Sequence, residues 1–335
     1  LTYCFDEKQS EAGAPSLRRL SPVITQPGGH QISQRGTYMK IGLKLPLFPS
    51  AALGRGFNYL ELRELAQRFE AAGFDSLWLM DHLLARPDGE ATVGYWEAGA
   101  LLPALAEATD RIEIGTLVLC APFRNPVVLA KMAMTIDEIS SGRFVLGLGA
   151  GWHKPEFDAA GLPFDHRVGR FEEALKIIQP LLKQGQVEFE GQYHRALRSE
   201  IAPVGPRPQG PPILIGGSGP RMLRLTAQFA DMWNITGISE PEELAALTGR
   251  LDAACQAFGR DPASLAKTLQ IRIAFPEIAP PPAWMTSFLS GNRSEIAAAI
   301  ESYEALGFSD LIFQMGAEGM AAMPTLAEAV RDYRG

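Results

Sequence analysis

From residue 41 onward, short and nearly continuous apolar runs alternate with amphipathic stretches, and the alternation repeats eight times. The apolar runs are 41–47, 76–80, 112–119, 144–148, 213–215, 232–235, 269–275 and 311–315. Runs of this length, apolar at nearly every position, are what strands covered on both faces require. The stretches between and after them are 60–72, 96–108, 127–139, 170–182, 221–229, 242–258, 295–306 and 326–333. In 60–72, Leu60, Leu62, Leu65, Ala66 and Phe69 fall near one helical face. Eight strands, each followed by a helix, predict an α/β chain closed as a (β/α)8 TIM barrel. On pattern alone, an open doubly wound sheet also fits.

End signals agree with the helices. Asn58 with Glu61, and Ser239 with Glu242 behind Pro241, read as N-terminal capping boxes. Gly73 and Gly307 stand where left-handed C-caps belong. Segments 69–77 and 303–311 echo each other as helix end, glycine, buried aromatic and next strand.

Residues 1–38 differ from the rest of the chain, with only 12 of 38 apolar and no apolar block of signal-peptide length. We read them as a disordered N-terminal extension, with Met39 as the natural start, ahead of a single barrel domain over 39–335. A disordered interaction arm fits the same composition. The net charge of −7 and the absence of a basic cluster argue against nucleic acid, and no apolar stretch is long enough to span a membrane. Cys4, Cys120 and Cys255 are too far apart for a CxxC site, and no HxxxH or HExxH spacing occurs, so no metal is expected. The cysteine usage suggests a reducing, cytoplasmic setting.

A barrel places its chemistry at the C-terminal ends of its strands. Asp81-His82 ends the second run. His82 is the one histidine of five placed at a strand end beside a carboxylate, a proton-transfer candidate, with Asp81 expected to orient it. A hydrogen-bonded core histidine is the competing reading. Gly216-Gly217-Ser218-Gly219, ahead of a helix at Arg221, has anion-binding geometry, against a plain tight turn. Gly147-Leu148-Gly149-Ala150-Gly151 lacks the helix of a dinucleotide fingerprint and instead lets a flat ring lie on the backbone. Lys44, Asn234, Thr236, Glu277 and Gln314 are the polar candidates at the remaining strand ends. Asp137, Arg143 and Arg124 read as structural braces. Between the fourth helix and fifth strand, 184–212 is an insertion that carries a hairpin near 187–194 and five prolines, which is expected to be a lid or binding loop.

Residues 74–82, 115–126, 135–152, Glu156-Phe157, the Arg167/Arg170/Glu173 spacing, 211–218, 230–234 and 259–262 resemble the luciferase-like monooxygenase superfamily, in its order, over essentially all of 39–335. The likeness is greatest to the branch using the deazaflavin coenzyme F420. The resemblance implies a bacterial-luciferase-like barrel with the deazaflavin ring at its mouth, facing Asp81 and His82. It implies a non-proline cis peptide at Leu117–Val118 bracing the ring. It places Gly149, Ala150, Gly151 and Trp152 along the ribityl chain, and Gly216, Gly217 and Ser218 at the cofactor phosphate. Trp152 stands where the sugar-phosphate dehydrogenases of the branch carry a glutamate, which favours a reductase. The implied activity is hydride transfer between F420 and a small unsaturated or carbonyl compound, with homodimerisation common. An FMN-dependent monooxygenase using reduced flavin, O2 and a partner flavin reductase is the nearest alternative. A non-catalytic cofactor-binding barrel is the other.

Overall fold

Strand register settles the choice between barrel and open sheet. The computed structural model describes residues 18–20, 38–50, 52–85, 92–238 and 240–335. Its parallel strands are β1 (Lys40–Lys44), β2 (Ser76–Leu79), β3 (Glu113–Thr116), β4 (Phe144–Gly149), β5 (Ile213–Gly216), β6 (Met232–Thr236), β7 (Ala266–Arg272) and β8 (Asp310–Gln314). Each pairs with the next, and β8 pairs back onto β1 with Phe313 opposite Leu43. The sheet is therefore a closed eight-stranded barrel without free edges.

The helices are α1 (Tyr59–Ala71), α2 (Ala98–Glu107), α3 (Pro126–Ile139), α4 (Arg167–Gln184), α5 (Pro220–Phe229), α6 (Pro241–Ala257), α7 (Arg293–Ala305) and α8 (Met323–Arg334). Asn58 and Glu61 form the expected capping box on α1, and Asn292 with Glu295 forms a second on α7. Gly73 and Gly307 take positive φ, as their capping role requires. The expected box at Ser239 lies outside the described residues, and α6 starts from Glu240 without a side-chain cap.

Side chains on alternate strand positions divide two cores. Leu43, Leu77, Ile114, Leu146, Ile215 and Leu311 face outward under the helices. Trp78, Leu117, Val145, Leu214 and Ile312 fill the barrel interior. Trp78 is the plug, and its Nε1 donates to Ser76 Oγ at 2.8 Å. Gly42 and Gly115 make room for it: a Cβ on Gly115 would lie 2.2 Å from the indole and one on Gly42 2.8 Å from Nε1. The plug fills the barrel interior below the cavity at the C-terminal strand ends.

Three expectations shift in detail. The third run breaks at residue 116; a cis peptide joins Leu117 to Val118, and Leu119–Cys120 then pairs with Leu148 and Gly149. The seventh strand ends at Arg272, three residues earlier than expected. The insertion forms an antiparallel pair, Gln186–Glu190 with Arg195–Glu200. The Glu173 carboxylate on α4 accepts the N–H groups of Gln192, Tyr193 and His194 and holds its tip. Asp137 braces as expected, but against Arg207 of the insertion. Most of 1–37 lies outside the described residues; Arg18–Leu20 runs parallel to Ser287–Leu289.

Candidate active site

The strand ends open into a cavity of about 580 Å³. Asp81, His82, Leu117, Val118, Gly149, Ala150, Gly151, Trp152, Gly216, Gly217 and Ser218 all line it. So do Lys44, Asn234, Thr236 and Gln314; Glu277 does not, because β7 ends earlier and leaves that residue exposed in the following turn.

Asp81 and His82, just past the end of β2, have separate partners. Asp81 is 4% exposed and takes a two-pronged ion pair from Arg124, with Nη1 to Oδ2 at 2.6 Å and Nη2 to Oδ1 at 2.8 Å. It also accepts the Cys120 N–H at 2.9 Å. Asp81 thus ties β2 to the loop after β3, and the expectation that it orients His82 is corrected. Arg124 braces that loop as expected, and its second carboxylate partner is Glu97. Burial first, then the nearby charges of Asp81 and Glu156, pushes the Cys120 thiol up, so it stays protonated and is a poor nucleophile.

His82 is held instead by Glu156, from the short helix Lys154–Ala160, with Nδ1 to Oε2 at 3.0 Å. Glu156 is 2% exposed, and its Oε1 accepts the N–H groups of Leu83 at 2.5 Å and Leu84 at 3.2 Å. A carboxylate only accepts, so Nδ1 carries the hydrogen and Nε2 does not. The rings of Tyr95, Trp152 and His153 stand around the imidazole. Burial, then Glu156, raises the Tyr95 phenol to about 12. Burial lowers His153, with Glu156 opposing and His82 adding to the shift. Separated from His82 by 74 residues, Glu156 gives no spacing signal in the sequence. Its one mark in the sequence is the Glu156-Phe157 pair among the segments that carry the family resemblance.

Two glycine segments shape the wall beside His82. A Cβ on Gly149 would lie 2.6 Å from Val118 Cγ2, and one on Gly151 2.7 Å from Cys120 Sγ. Val118 is wedged between Gly149 and Gly216, where a Cβ would come within 3.2 Å of its Cγ1. Gly217 has φ +128°, its N–H donates to Asn234 O at 3.2 Å, and its own carbonyl accepts the Trp233 indole N–H. That N–H is committed to the barrel, so anion donors must come from further along the loop. Gly219 is the N-cap of α5, and no side chain caps that helix. Its first-turn N–H groups therefore point, with the helix dipole, toward the cavity mouth. A flat ring against 117–118 and 149–151, with a phosphate before α5, fits this surface.

The fold is an α/β barrel with its cavity at the C-terminal strand ends. The luciferase-like monooxygenase family model matches residues 39–277. The chain is 35% identical over 199 residues to an F420-dependent glucose-6-phosphate dehydrogenase of Amycolatopsis mediterranei, covering 58% of this chain and 56% of that protein. It is 31% identical over 244 residues to a pyrimidine monooxygenase RutA of a Caulobacter species, covering 68% of this chain and 66% of that protein. The match thus spans little more than half the length of the first relative and just under two thirds of the second. A solved F420-dependent secondary alcohol dehydrogenase superposes with a TM-score of 0.75 at 19% identity, over 89% of this chain and 100% of that one. The chain belongs to the luciferase-like monooxygenase family. Among the described residues, no helix is long and apolar enough to cross a membrane, and no cluster of ligands could hold a metal ion.

Proposed function

We propose that this barrel transfers a hydride between coenzyme F420 and a small organic compound with an activated double bond or a carbonyl group. The observation that carries the reading is His82, held by a buried carboxylate with Nε2 available beside a glycine-lined wall. A bound deazaflavin would supply the hydride-transfer chemistry. The remaining work falls to the chain. Leu117, Val118, Gly149, Ala150 and Gly151 present a flat wall to the ring, and Gly216, Gly217 and Ser218 lead into the uncapped start of α5 that suits a phosphate. Asp81 and Arg124 fix the loop that shapes that wall. His82 Nε2 gives or takes the accompanying proton, and Glu156 stabilises the imidazolium that forms.

Trp152, in place of the branch's glutamate, leaves no carboxylate there for sugar-phosphate oxidation and supports the reducing direction. The relative named as a pyrimidine monooxygenase supports a second reading, an FMN-dependent monooxygenase on the same wall. Titrating the protein with oxidised F420 and with FMN, followed by cofactor fluorescence, separates the two. Tighter F420 binding is expected. Tighter FMN binding transfers the proposal to the monooxygenase, and binding of neither overturns both. His82→Gln is expected to keep the cofactor and lose turnover.

A further inference from the structure

The cavity has two unlike walls. The ends of β2 to β5 carry His82 and the glycine segments, whereas the ends of β1, β7 and β8 bring Lys44, Arg272 and Gln314 into the same space. Arg272 and Gln314 are register partners, and Gln314 and Lys44 each follow the paired residues Phe313 and Leu43. The three therefore form one row across adjacent strands. Lys44 is 8% exposed and lines the cavity, yet no carboxylate or other acceptor among the described residues hydrogen-bonds its ammonium. The carboxylates lining the cavity, Asp81 and Glu156, are committed to Arg124 and His82. Arg272 lies over the Trp284 ring at 5.8 Å. Gln314 Oε1 accepts from Gln270 at 2.6 Å, which leaves its amide N–H groups as donors not used by that bond.

Lys44 is a buried cation that no described carboxylate hydrogen-bonds, and the Arg272 charge lies near it; burying such an ammonium is costly unless a ligand supplies the opposite charge. We infer that Lys44, Gln314 and Arg272 form an anion subsite that seats a carboxylate group of the substrate on the wall opposite the proposed cofactor surface. The inference rests on the proposed function for the word substrate, and it narrows that substrate to an unsaturated or carbonyl compound bearing a carboxylate. A planar carboxylate suits the row, since a guanidinium, an amide N–H and an ammonium can share its two oxygens. Burial and Arg272 lower the Lys44 ammonium to about 8, so it is still mostly charged at neutral pH.

The test is calorimetric binding of acrylate, crotonate and cinnamate, each against its neutral amide, to the full chain at pH 7, with the F420 and FMN titrations run on the same preparation. At least one acid is expected to bind tenfold more tightly than its amide. Lys44→Met and Arg272→Met should each reduce that preference below twofold, and Arg272→Lys should retain it. Melting curves confirm that the variants fold. No acid preferred over its amide in the unaltered protein, or a preference surviving both methionine variants, overturns the subsite. A preference that depends on Lys44 while neither cofactor binds leaves the subsite standing and removes the hydride-transfer reading instead.

Discussion

Replacing Glu156 with glutamine changes one oxygen to an amide nitrogen without changing volume, and the site must rearrange its protons to accommodate it. Oε1 accepts two backbone N–H groups and Oε2 faces His82 Nδ1. If the amide turns its nitrogen toward Leu83 and Leu84, two donors meet a donor, at about 1–3 kcal/mol for each group left unsatisfied. The favoured arrangement keeps the carbonyl on the backbone and points the NH2 at Nδ1. Nδ1 must then accept, so its hydrogen moves to Nε2 and the face toward the cavity turns from acceptor to donor. Loss of the charge-assisted contact costs about 1.5–3 kcal/mol in stability. Removal of properly placed proton transfer lowers turnover by about 10²- to 10⁴-fold. Long-range 15N–1H correlation spectra of histidine-labelled protein read the tautomer directly, with His82→Gln assigning the signal. Cofactor affinity is expected to hold within about twofold. An unchanged Nδ1–H tautomer in Glu156→Gln would refute the assignment of Glu156 as the orienting group.

Four further outcomes rest on the same geometry. Lys44→Met removes a buried cation whose folded pKa of about 8 lies below its ordinary 10.5, a cost of up to about 3 kcal/mol when charged. The variant is expected to be the more stable at pH 7. The unaltered protein should gain stability as pH rises from about 8 toward 10.5 and close the gap, as denaturant melts across that range will show. Burial raises Asp310 from 3.8 to about 6, so Asp310→Asn should add up to about 3 kcal/mol at pH 7. That gain should vanish as pH falls from about 6 to below 4, because the aspartate is then neutral in both states. Asp81→Ala leaves the Arg124 guanidinium short of its buried partner and should cost about 3 kcal/mol in chemical unfolding, so its main effect is on stability rather than on proton transfer. Gly115→Ala drives a methyl against Trp78 and should lower stability by about 1–3 kcal/mol; an unchanged melting curve would show that the plug can move.

Periodicity and strand-end logic make the barrel and the location of its mouth legible without coordinates. Apolar runs of strand length separated by helical stretches admit few topologies, and a barrel fixes where its strand ends converge. Asp81, His82 and the glycines are legible because each lies at or just past the C-terminal end of a strand. Partners are not legible in the same way. Asp81 is adjacent to His82 in sequence, but successive residues after a strand diverge, and Asp81 turns to Arg124 while Glu156 arrives from 74 residues away. Arg272 is hidden because the apolar run at 269–275 extends beyond the last ladder pair, so the pattern puts the strand end three residues late. Apolar patterning records which side chains are shielded from water, and the order of the chain carries that information locally. Which donor meets which acceptor depends on where distant segments cross, and closure of the barrel alone fixed those crossings.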